Sequence, residues 1–376
     1  MEEDLIIIRK DESMITSERV SELEQGYQRW HQVEGVTFVT HKDASTGIRY
    51  ATDNDNALYT GMALAAAAYR YAVKPESVAN YRAVMNALDG IELLTTVSGI
   101  DGVLARWVFP LQDSWERIGY DRVRSVEVDN WWAQHIEAGQ LYERGPYAFM
   151  TKTTRDQLSG VLFGLTVADA LVPMARSAVK PIVHTLALRF AETDWSLKDH
   201  EGKTGTSAHK LDAPLKLIVQ ALHAKTQNRE RVKSSCWFKW VWLMTAHYNR
   251  KIQSTYSYNL NMMDAHSLLL LQEWHSNLKG VQRWHEKLWK MVKRDNNPHF
   301  ATLNLVATGR GLSPEAIQNL ERRAYDRYRK FFSWSKDPKD WWHEESDKIG
   351  PSIDVLLPYW MKEYYEWQIT QRELPF

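Results

Sequence analysis

The segment Thr154-Arg155-Asp156-Gln157 places a guanidinium, a carboxylate and an amide together, directly before a run of small and apolar residues typical of a buried helix. Part of this pattern predicts a helix cap, with Thr154 as N-cap, Gln157 as its capping-box partner and Asp156 at the positive helix end. Arg155 does not belong to a cap, because a cation is mildly unfavourable at a helix start. The segment therefore predicts a helix start that also carries a chemical site.

Asp156 and the acids of two earlier loops are the candidates for acid–base chemistry; the earlier ones are Asp53, Asp55 and Asp101. A neighbouring cation favours the charged form of a carboxylate, so Asp156 beside Arg155 suits a base or nucleophile. Asp53 and Asp55 share one loop, and neighbouring acids hinder each other's ionisation, so either one could keep a proton and act as donor. The alternative is that Asp53 or Asp55 serves as the N-cap residue of the helix that begins at Asn56.

The composition excludes several classes of function. The chain of 376 residues has a net charge of zero and no block of like charges, so it lacks the basic surface that binds nucleic acid. Its single cysteine, Cys236, excludes an internal disulfide and any site of several thiolates. His343 lacks a second histidine at helical spacing, and the acids within 194–201 match no established calcium loop. We therefore predict no metal and no cofactor.

The N-terminus predicts neither export nor a membrane anchor. The stretch "MEEDLIIIRKDE" begins with acids and has only four apolar residues in a row, unlike a secretory signal. No apolar run approaches the ~18 residues of a membrane span. As it stands the sequence predicts a soluble, cytoplasmic protein, with a removed signal or export inside a larger particle as alternatives. It leaves the oligomeric state open.

The aromatic content is unusual, with 17 Trp and 17 Tyr. Two tryptophan pairs, Trp131-Trp132 and Trp341-Trp342, are flanked by charged residues, which favours exposure of at least part of each pair. Exposed flat rings stack on sugar faces, whereas buried ones fill the gaps between helices. Both interpretations stay open for the two pairs.

Hydrophobic periodicity predicts a single all-α domain over residues 1–376. The stretch 101–150 has scattered Gly and Pro and is predicted to be a lid or loop insertion, and 194–210 and 333–353 are also loop-rich. Candidate helices cover residues 16–31, 56–73, 76–95, 153–173, 175–192, 211–225, 233–248, 259–276, 278–293, 297–308, 313–330 and 354–368.

The helices differ in the residues that they present. Those at 56–73 and 153–173 are rich in Ala and Gly, which allows close packing in an inner ring, while 313–330 has a broad charged face and should lie outside. About twelve helices in two rings form an (α/α)6 toroid with long loops over a groove. Neighbouring helices in such an array run in opposite directions. Helices 56–73 and 153–173 therefore start at the same end only if the chain within 101–150 passes from one end of the array to the other either not at all or twice.

Several segments resemble the inner-helix starts of carbohydrate-active (α/α)6-barrel proteins. They are "DNDNALYTGMALAAAAYRYA", "TTRDQLSGVLFGLTVADALV", "LKDHEGKTGTS", "RDNNPHFATLNLVA" and "IDVLLPYWMKEYY", which together span about 50–367. The resemblance implies a glycoside hydrolase or polysaccharide lyase, with a carbohydrate partner bound in a groove where inner helices start. A hydrolase needs a proton donor and a base or nucleophile. Asp156 would be the base or nucleophile, and Asp55 or Asp53 the donor.

A lyase on an acidic glycan is the alternative enzyme. Arg106 and Arg155 would clamp a uronate carboxylate, and a histidine such as His200, His299 or His343 would remove the C5 proton. The expected groove residues for either enzyme are Arg155, Arg106, Gln157, Trp107, Tyr59, Trp131, Trp132, His299, Trp341 and Trp342.

Two further readings belong to other classes. A non-catalytic glycan-binding or structural protein, such as a virion component, would keep the aromatic groove without a working acid pair. A terpene cyclase-like toroid is the weaker one: "DNDN" at 53–56 is distantly similar to an acidic protonating motif, but the repeated Gln-Trp signature is missing.

Overall fold

The computed structural model describes residues 15–43, 47–50, 55–111, 142–204, 210–233, 255–325 and 348–373. Helix dominates these ranges and strands occur only in small sheets, so the predicted all-α class is confirmed. The described helices are α1 (Ser17–Trp30), α2 (Asn56–Val73), α3 (Val78–Thr96), α4 (Arg155–Leu171), α5 (Arg176–Glu192), α6 (Ala213–Thr226), α7 (Thr255–Leu270), α8 (Leu278–Val292), α9 (Pro298–Thr308), α10 (Pro314–Tyr325) and α11 (Ile353–Glu373).

The strands form three small antiparallel sheets. Their orders are β1-β2, β4-β3-β8 and β5-β7-β6. The strands are β1 (Gln32–Val33), β2 (Val36–Thr37), β3 (Thr40–Asp43), β4 (Gly47–Tyr50), β5 (Trp107–Pro110), β6 (Tyr142–Arg144), β7 (Tyr147–Met150) and β8 (Lys348–Ile349).

Most predicted helices agree with the structure to within two or three residues at each end. One that differs begins at Thr255 instead of 259 and ends at Leu270, before a separate 3-10 turn at Gln272–Trp274. The predicted helix at 233–248 lies almost wholly outside the described residues.

Glycines set the distance between α2 and α4. A Cβ added to Gly61 would lie 1.9 Å from the carbonyl oxygen of Gly160, and one added to Gly164 would lie 2.2 Å from that of Gly61. Such backbone approach is possible only without side chains. The facing residues advance together along both helices, so α2 and α4 run in the same direction and start at the same end. This agrees with the expected direction of the two small-residue helices.

The helices that pack against one another form a closed cycle. In this cycle α2 packs against α4, α4 against α7, α7 against α9, α9 against α11, and α11 against α2. Helices α3, α5, α8, α10 and α1 each pack against members of the cycle, and α6 packs against α4, α5 and α7. The small-residue helices α2 and α4 lie in the cycle, whereas the amphipathic α8 and α10 pack against it.

The two ends of the predicted lid form a sheet at the start of α2. Strands β5 and β7 pair from Trp107 with Met150 to Pro110 with Tyr147, and β6 completes the sheet. The amide of Ala57, in the first turn of α2, donates to the carbonyl oxygen of Arg106 at 3.1 Å. This bond fixes Arg106 beside the helix start. Residues 112–141, which hold the middle of the predicted lid, lie outside the described residues.

One extensive hydrophobic cluster joins these helices, and its largest fully buried side chains include Trp107, Trp284, Tyr69 and Phe163. These rings fill gaps between elements, as the packing interpretation of the aromatics expects. Among the described residues, no single helix is both long enough and apolar enough to span a membrane. One pair of consecutive helical segments meets the length and composition criteria together, Arg155–Leu171 and Pro173–Glu192, but the chain bends by 119° between them.

Candidate functional site

A carboxylate, a guanidinium and an amide from three separate segments meet at the common start of α2 and α4. Arg106 Nη2 lies 2.7 Å from Asp55 Oδ1, and Gln157 Nε2 donates to the same oxygen at 2.6 Å. The Gln157 carbonyl oxygen accepts from the backbone amide of Leu58 at 3.2 Å. The Gln157 side chain is fully buried and thus ties both helix starts together.

The local structure explains why Asp55 faces this cluster. Asp55 is the N-cap residue of α2, but its side chain makes no capping hydrogen bond. An amide of the first helical turn, which would otherwise need a cap, is satisfied by Gln157 instead. The N-cap position expected as the alternative for Asp55 is confirmed, while its carboxylate, which makes no capping bond, contacts Arg106 and Gln157.

The capping box predicted at the start of α4 is also wrong. Thr154 is the N-cap residue, as predicted, but its side chain bonds to the Asp156 carboxylate and caps no backbone amide. Gln157 reaches across to α2, because its buried side chain faces the neighbouring helix at the point of closest approach. The predicted start of the helix is confirmed, while its polar side chains serve contacts between helices.

Tyr59 lies one turn into α2 with its ring buried. Burial raises the pKa of its hydroxyl well above the usual value, and the carboxylates of Asp55, Asp354 and Asp156 raise it further, against the opposing charge of Arg106. Asp55 is the N-cap residue of α2, and Asp156 and Asp354 belong to the first turns of α4 and α11, so acids from three separate helix starts act electrostatically on one hydroxyl. We call Asp55, Tyr59, Arg106, Asp156, Gln157 and Asp354 the helix-start cluster.

A second polar group lies on the other side of α4. Arg155 Nη1 lies 3.3 Å from Asp212 Oδ2, and Asp212 caps α6 by accepting from the amide of Leu215 at 3.2 Å. Ser159, one turn after Arg155, lies with its Oγ 3.5 Å from Asp264 Oδ2 on α7. Both carboxyl groups thus contact the same face of α4.

Burial dominates the ionisation of this second group. It raises the pKa of Asp264 well above its usual value, Asp212 adds to the rise, and the Ser159 hydrogen bond and Arg155 oppose it. Burial also raises the pKa of Asp212, against the neighbouring charge of Arg155. Arg155 therefore pairs with Asp212 and not with Asp156 as expected, which removes the original reason for assigning Asp156 as the base.

Three further predicted site residues differ in their exposure to solvent. Trp107 and His299 are both fully buried, so neither side chain can form the wall of an open groove. Burial, with Arg323 and His266 nearby, lowers the pKa of His299 to about 3, and the residue belongs to the first turn of α9. Asp101 is exposed in a turn after α3. Burial thus contradicts the expected place of Trp107 and His299 in a groove wall, while the assignment of Asp101 stays a prediction.

Other predicted residues have different positions. His200 Nδ1 shares a hydrogen bond with Thr151 Oγ1 at 2.9 Å. Its ring packs edge-on against the ring of Tyr142, with 3.9 Å between the ring centroids. It belongs to the surroundings of the β5-β7-β6 sheet. The remaining candidates, Asp53, Trp131, Trp132, Trp341, Trp342 and His343, lie outside the described residues.

Sequence reasoning did not select Asp212, Asp264 or Asp354 as site residues. Asp212 lies at the beginning of the predicted helix 211–225, and Asp354 lies in the quoted segment "IDVLLPYWMKEYY". The signal for Asp264 was a lone acid inside the apolar helix "LNMMDAHSLLLL". A charged residue in such a run is rarely buried without a partner or a function.

Across the described ranges, no group of three or more His, Cys, Asp or Glu side chains is placed to hold a metal ion. The described chemistry is that of carboxylates, guanidinium groups, an amide and hydroxyls. In comparisons with known proteins, no family model, no curated protein and no solved structure matches this chain.

Proposed function

We propose that this protein is carbohydrate-active and that it hydrolyses a glycosidic bond with carboxylates of the helix-start cluster. The observation that carries the proposal is the contact of Asp55 with Arg106 and Gln157 at the shared start of α2 and α4, where Asp156 lies in the first turn of α4. Glycoside hydrolysis needs two carboxyl groups in different protonation states on either side of the scissile bond. Acids that enter from separate helices can flank a substrate in this way.

The cycle of packed helices supports a toroid as the framework of the site. We infer that α2, α4, α7, α9 and α11 belong to its inner ring, with α6 beside α4 and α7 as a further member. Helices α1, α3, α5, α8 and α10 would then form the outer ring. The shared start of α2 and α4 would then place their polar first turns at the same end of that ring.

The contacts of Asp55 favour a role as base or nucleophile. Both the guanidinium of Arg106 and the amide of Gln157 stabilise a charged carboxylate. In an inverting reaction Asp55 would accept a proton from the attacking water, and in a retaining one it would attack the anomeric carbon. Asp156, in the first turn of α4, is the second carboxylate of the cluster. The role of Asp55 is thus the reverse of the one expected from the sequence.

The pairing of the two arginines favours hydrolysis over elimination. Arg106 faces Asp55 and Arg155 faces Asp212, so each guanidinium charge is compensated by a carboxylate of the protein itself. A uronate clamp needs a guanidinium whose charge is directed at the substrate. We therefore favour a neutral glycan as the substrate.

The test is a screen of neutral and acidic polysaccharides with the full-length protein, which records new reducing ends and ultraviolet absorbance at the same time. Hydrolysis predicts reducing ends without absorbance, and Asp55→Asn and Asp156→Asn should lower the rate. Asp89→Asn, a substitution of an exposed acid on α3, is the matched control and should not.

Two results would contradict the proposal. A rise in absorbance with the reducing ends would indicate an unsaturated product and a lyase. Binding without product on every glycan that binds would indicate a glycan-binding protein without catalysis.

A further inference from the structure

We propose that Arg189 and Ser196 bind a chloride ion in a small pocket between the end of α5 and the connection from β7 to α4. The inference is independent of the proposed hydrolase function. It assigns the pocket a structural role, in which the anion joins segments that lead to the start of α4.

The pocket lies where three connections meet: the turn after α3, the connection from β7 to α4, and the end of α5 with the loop that follows it. It has room for about one molecule of the size of water, so a sugar ring or another large ligand does not fit. Its other lining residues are apolar side chains and one glycine, and its polar lining residues are Thr151, Thr153, Arg189, Ser196, Lys198 and Asp199.

Arg189 brings a largely buried positive charge to this pocket. Its side chain is 18% exposed, and its one ion pair in the described part of the chain is a contact of 3.9 Å with Glu192, whose side chain is 69% exposed. Such an exposed pair compensates little of the charge. The Nε of Arg189 is buried, and no acceptor among the described residues lies within hydrogen-bond distance of it. A buried donor of this kind needs a partner, which an anion in the pocket supplies.

Ser196 brings a second donor, from the loop after α5. The residue is buried, and its hydroxyl makes no hydrogen bond within the described ranges. The two threonine hydroxyls of the pocket are already engaged, because Thr153 Oγ1 donates to the carbonyl oxygen of Leu104 and Thr151 Oγ1 shares a hydrogen bond with His200 Nδ1 at 2.9 Å. The pocket therefore has one charged and one neutral donor that lack acceptors.

The charges of the lining favour a monovalent anion over a neutral molecule. Arg189 and Lys198 are cations and Asp199 is the one acid among the lining residues, which leaves one positive charge. The Asp199 carboxylate is held by its own turn, since its Oδ1 accepts from the backbone amides of Glu201 and Lys203 at 3.0 and 2.8 Å. One chloride ion balances the remaining charge, and the apolar walls strengthen its attraction to the guanidinium.

The anion would stabilise segments next to the candidate site. Arg189 belongs to the last turn of α5, and Thr153 directly precedes Thr154, the N-cap residue of α4. The pocket exists only in the folded protein, so a ligand that binds there raises the stability of the fold in proportion to its concentration and affinity.

The first test uses the wild-type protein in sodium chloride and in sodium gluconate at equal ionic strength, so that the screening of exposed charges is the same. Gluconate is too large for the pocket. The midpoint of thermal unfolding should be higher in chloride, and the protein should broaden the ³⁵Cl NMR resonance. Equal midpoints together with an unbroadened resonance would overturn the proposal and would mean that the pocket takes water only.

The second test assigns the binding to the two donors. Arg189→Gln should abolish the broadening and the difference in midpoint. Ser196→Ala should weaken chloride binding by about tenfold or more, because it removes one hydrogen bond to a charged group. Arg82→Gln, which replaces an exposed arginine of α3, is the matched control and should bind chloride as the wild-type protein does.

The variants keep the proposal falsifiable even if one of them does not fold. If Arg189→Gln is unfolded, Ser196→Ala decides, because it removes a single hydroxyl and leaves the guanidinium in place. Chloride that binds equally well to the wild-type protein and to the folded variants would lie elsewhere on the protein, and the assignment to Arg189 and Ser196 would be wrong.

Discussion

Gln157 donates to the carboxylate of Asp55 over 2.6 Å, although the two residues are 102 positions apart in the chain. The same side chain accepts from the amide of Leu58, so one buried amide group satisfies the start of α2 and orients a carboxylate of the candidate site. The stability of α2 and the geometry of the candidate site are therefore linked at this residue.

Replacement of Gln157 should affect both the stability of the protein and the position of Asp55. Gln157→Ala leaves the Leu58 amide and one side of Asp55 without a partner, and we expect unfolding free energy to fall by about 1–3 kcal/mol. Denaturant titration of the wild-type and variant proteins measures the change. A loss below about 0.5 kcal/mol, as for an ordinary surface substitution, would show that the bond across the helices contributes little.

The close approach of α2 and α4 can be tested with one methyl group. In Gly61→Ala the new Cβ would lie 1.9 Å from a backbone oxygen, so the helices must separate, and we expect a loss of about 1–3 kcal/mol or more. Gly26→Ala is the matched control, because no atom lies within 4 Å of its added Cβ on α1. It should stabilise the protein by about 0.5–1 kcal/mol. Equal effects from both would contradict the described packing.

The fold class was predictable because it depends on local patterns. Periodicity located the helices, and runs of Ala and Gly singled out α2 and α4 as helices that pack closely. Their common direction followed from treating 101–150 as an excursion between them. The pattern in 259–276 misplaced the start of α7, since helix boundaries depend on contacts that periodicity does not contain.

The site was less predictable, because its contacts connect residues that are distant in the chain. Arg155 and Asp156 were paired on adjacency alone, yet consecutive residues on a helix do not face each other. Arg155 reaches Asp212 instead. Gln157 had an apparent local function as a cap, and nothing in the sequence indicates that α2 offers it better partners. The burial of Asp264 could be predicted only with knowledge of which helices surround α7.

Acid should destabilise the protein partly through His299. Its pKa falls from 6.5 to about 3 in the folded state, so the unfolded chain binds more protons between these values. Stability is therefore present above about pH 6.5 and lost as the pH falls towards 3, by up to about 1.4 kcal/mol per pH unit. His299→Gln removes the titrating group and should reduce that slope in denaturant titrations across this window. An unchanged slope would mean that His299 is not buried as a neutral ring.

The most direct test of the central claim is the turnover of Asp55→Asn on a glycan that the wild-type protein cleaves. Asparagine keeps the shape of the side chain but removes the charge that Arg106 and Gln157 stabilise. We predict an intact helical circular dichroism spectrum and a kcat lowered by about 10²–10⁴-fold. A folded variant that cleaves the glycan at the wild-type rate would contradict a catalytic function for the helix-start cluster.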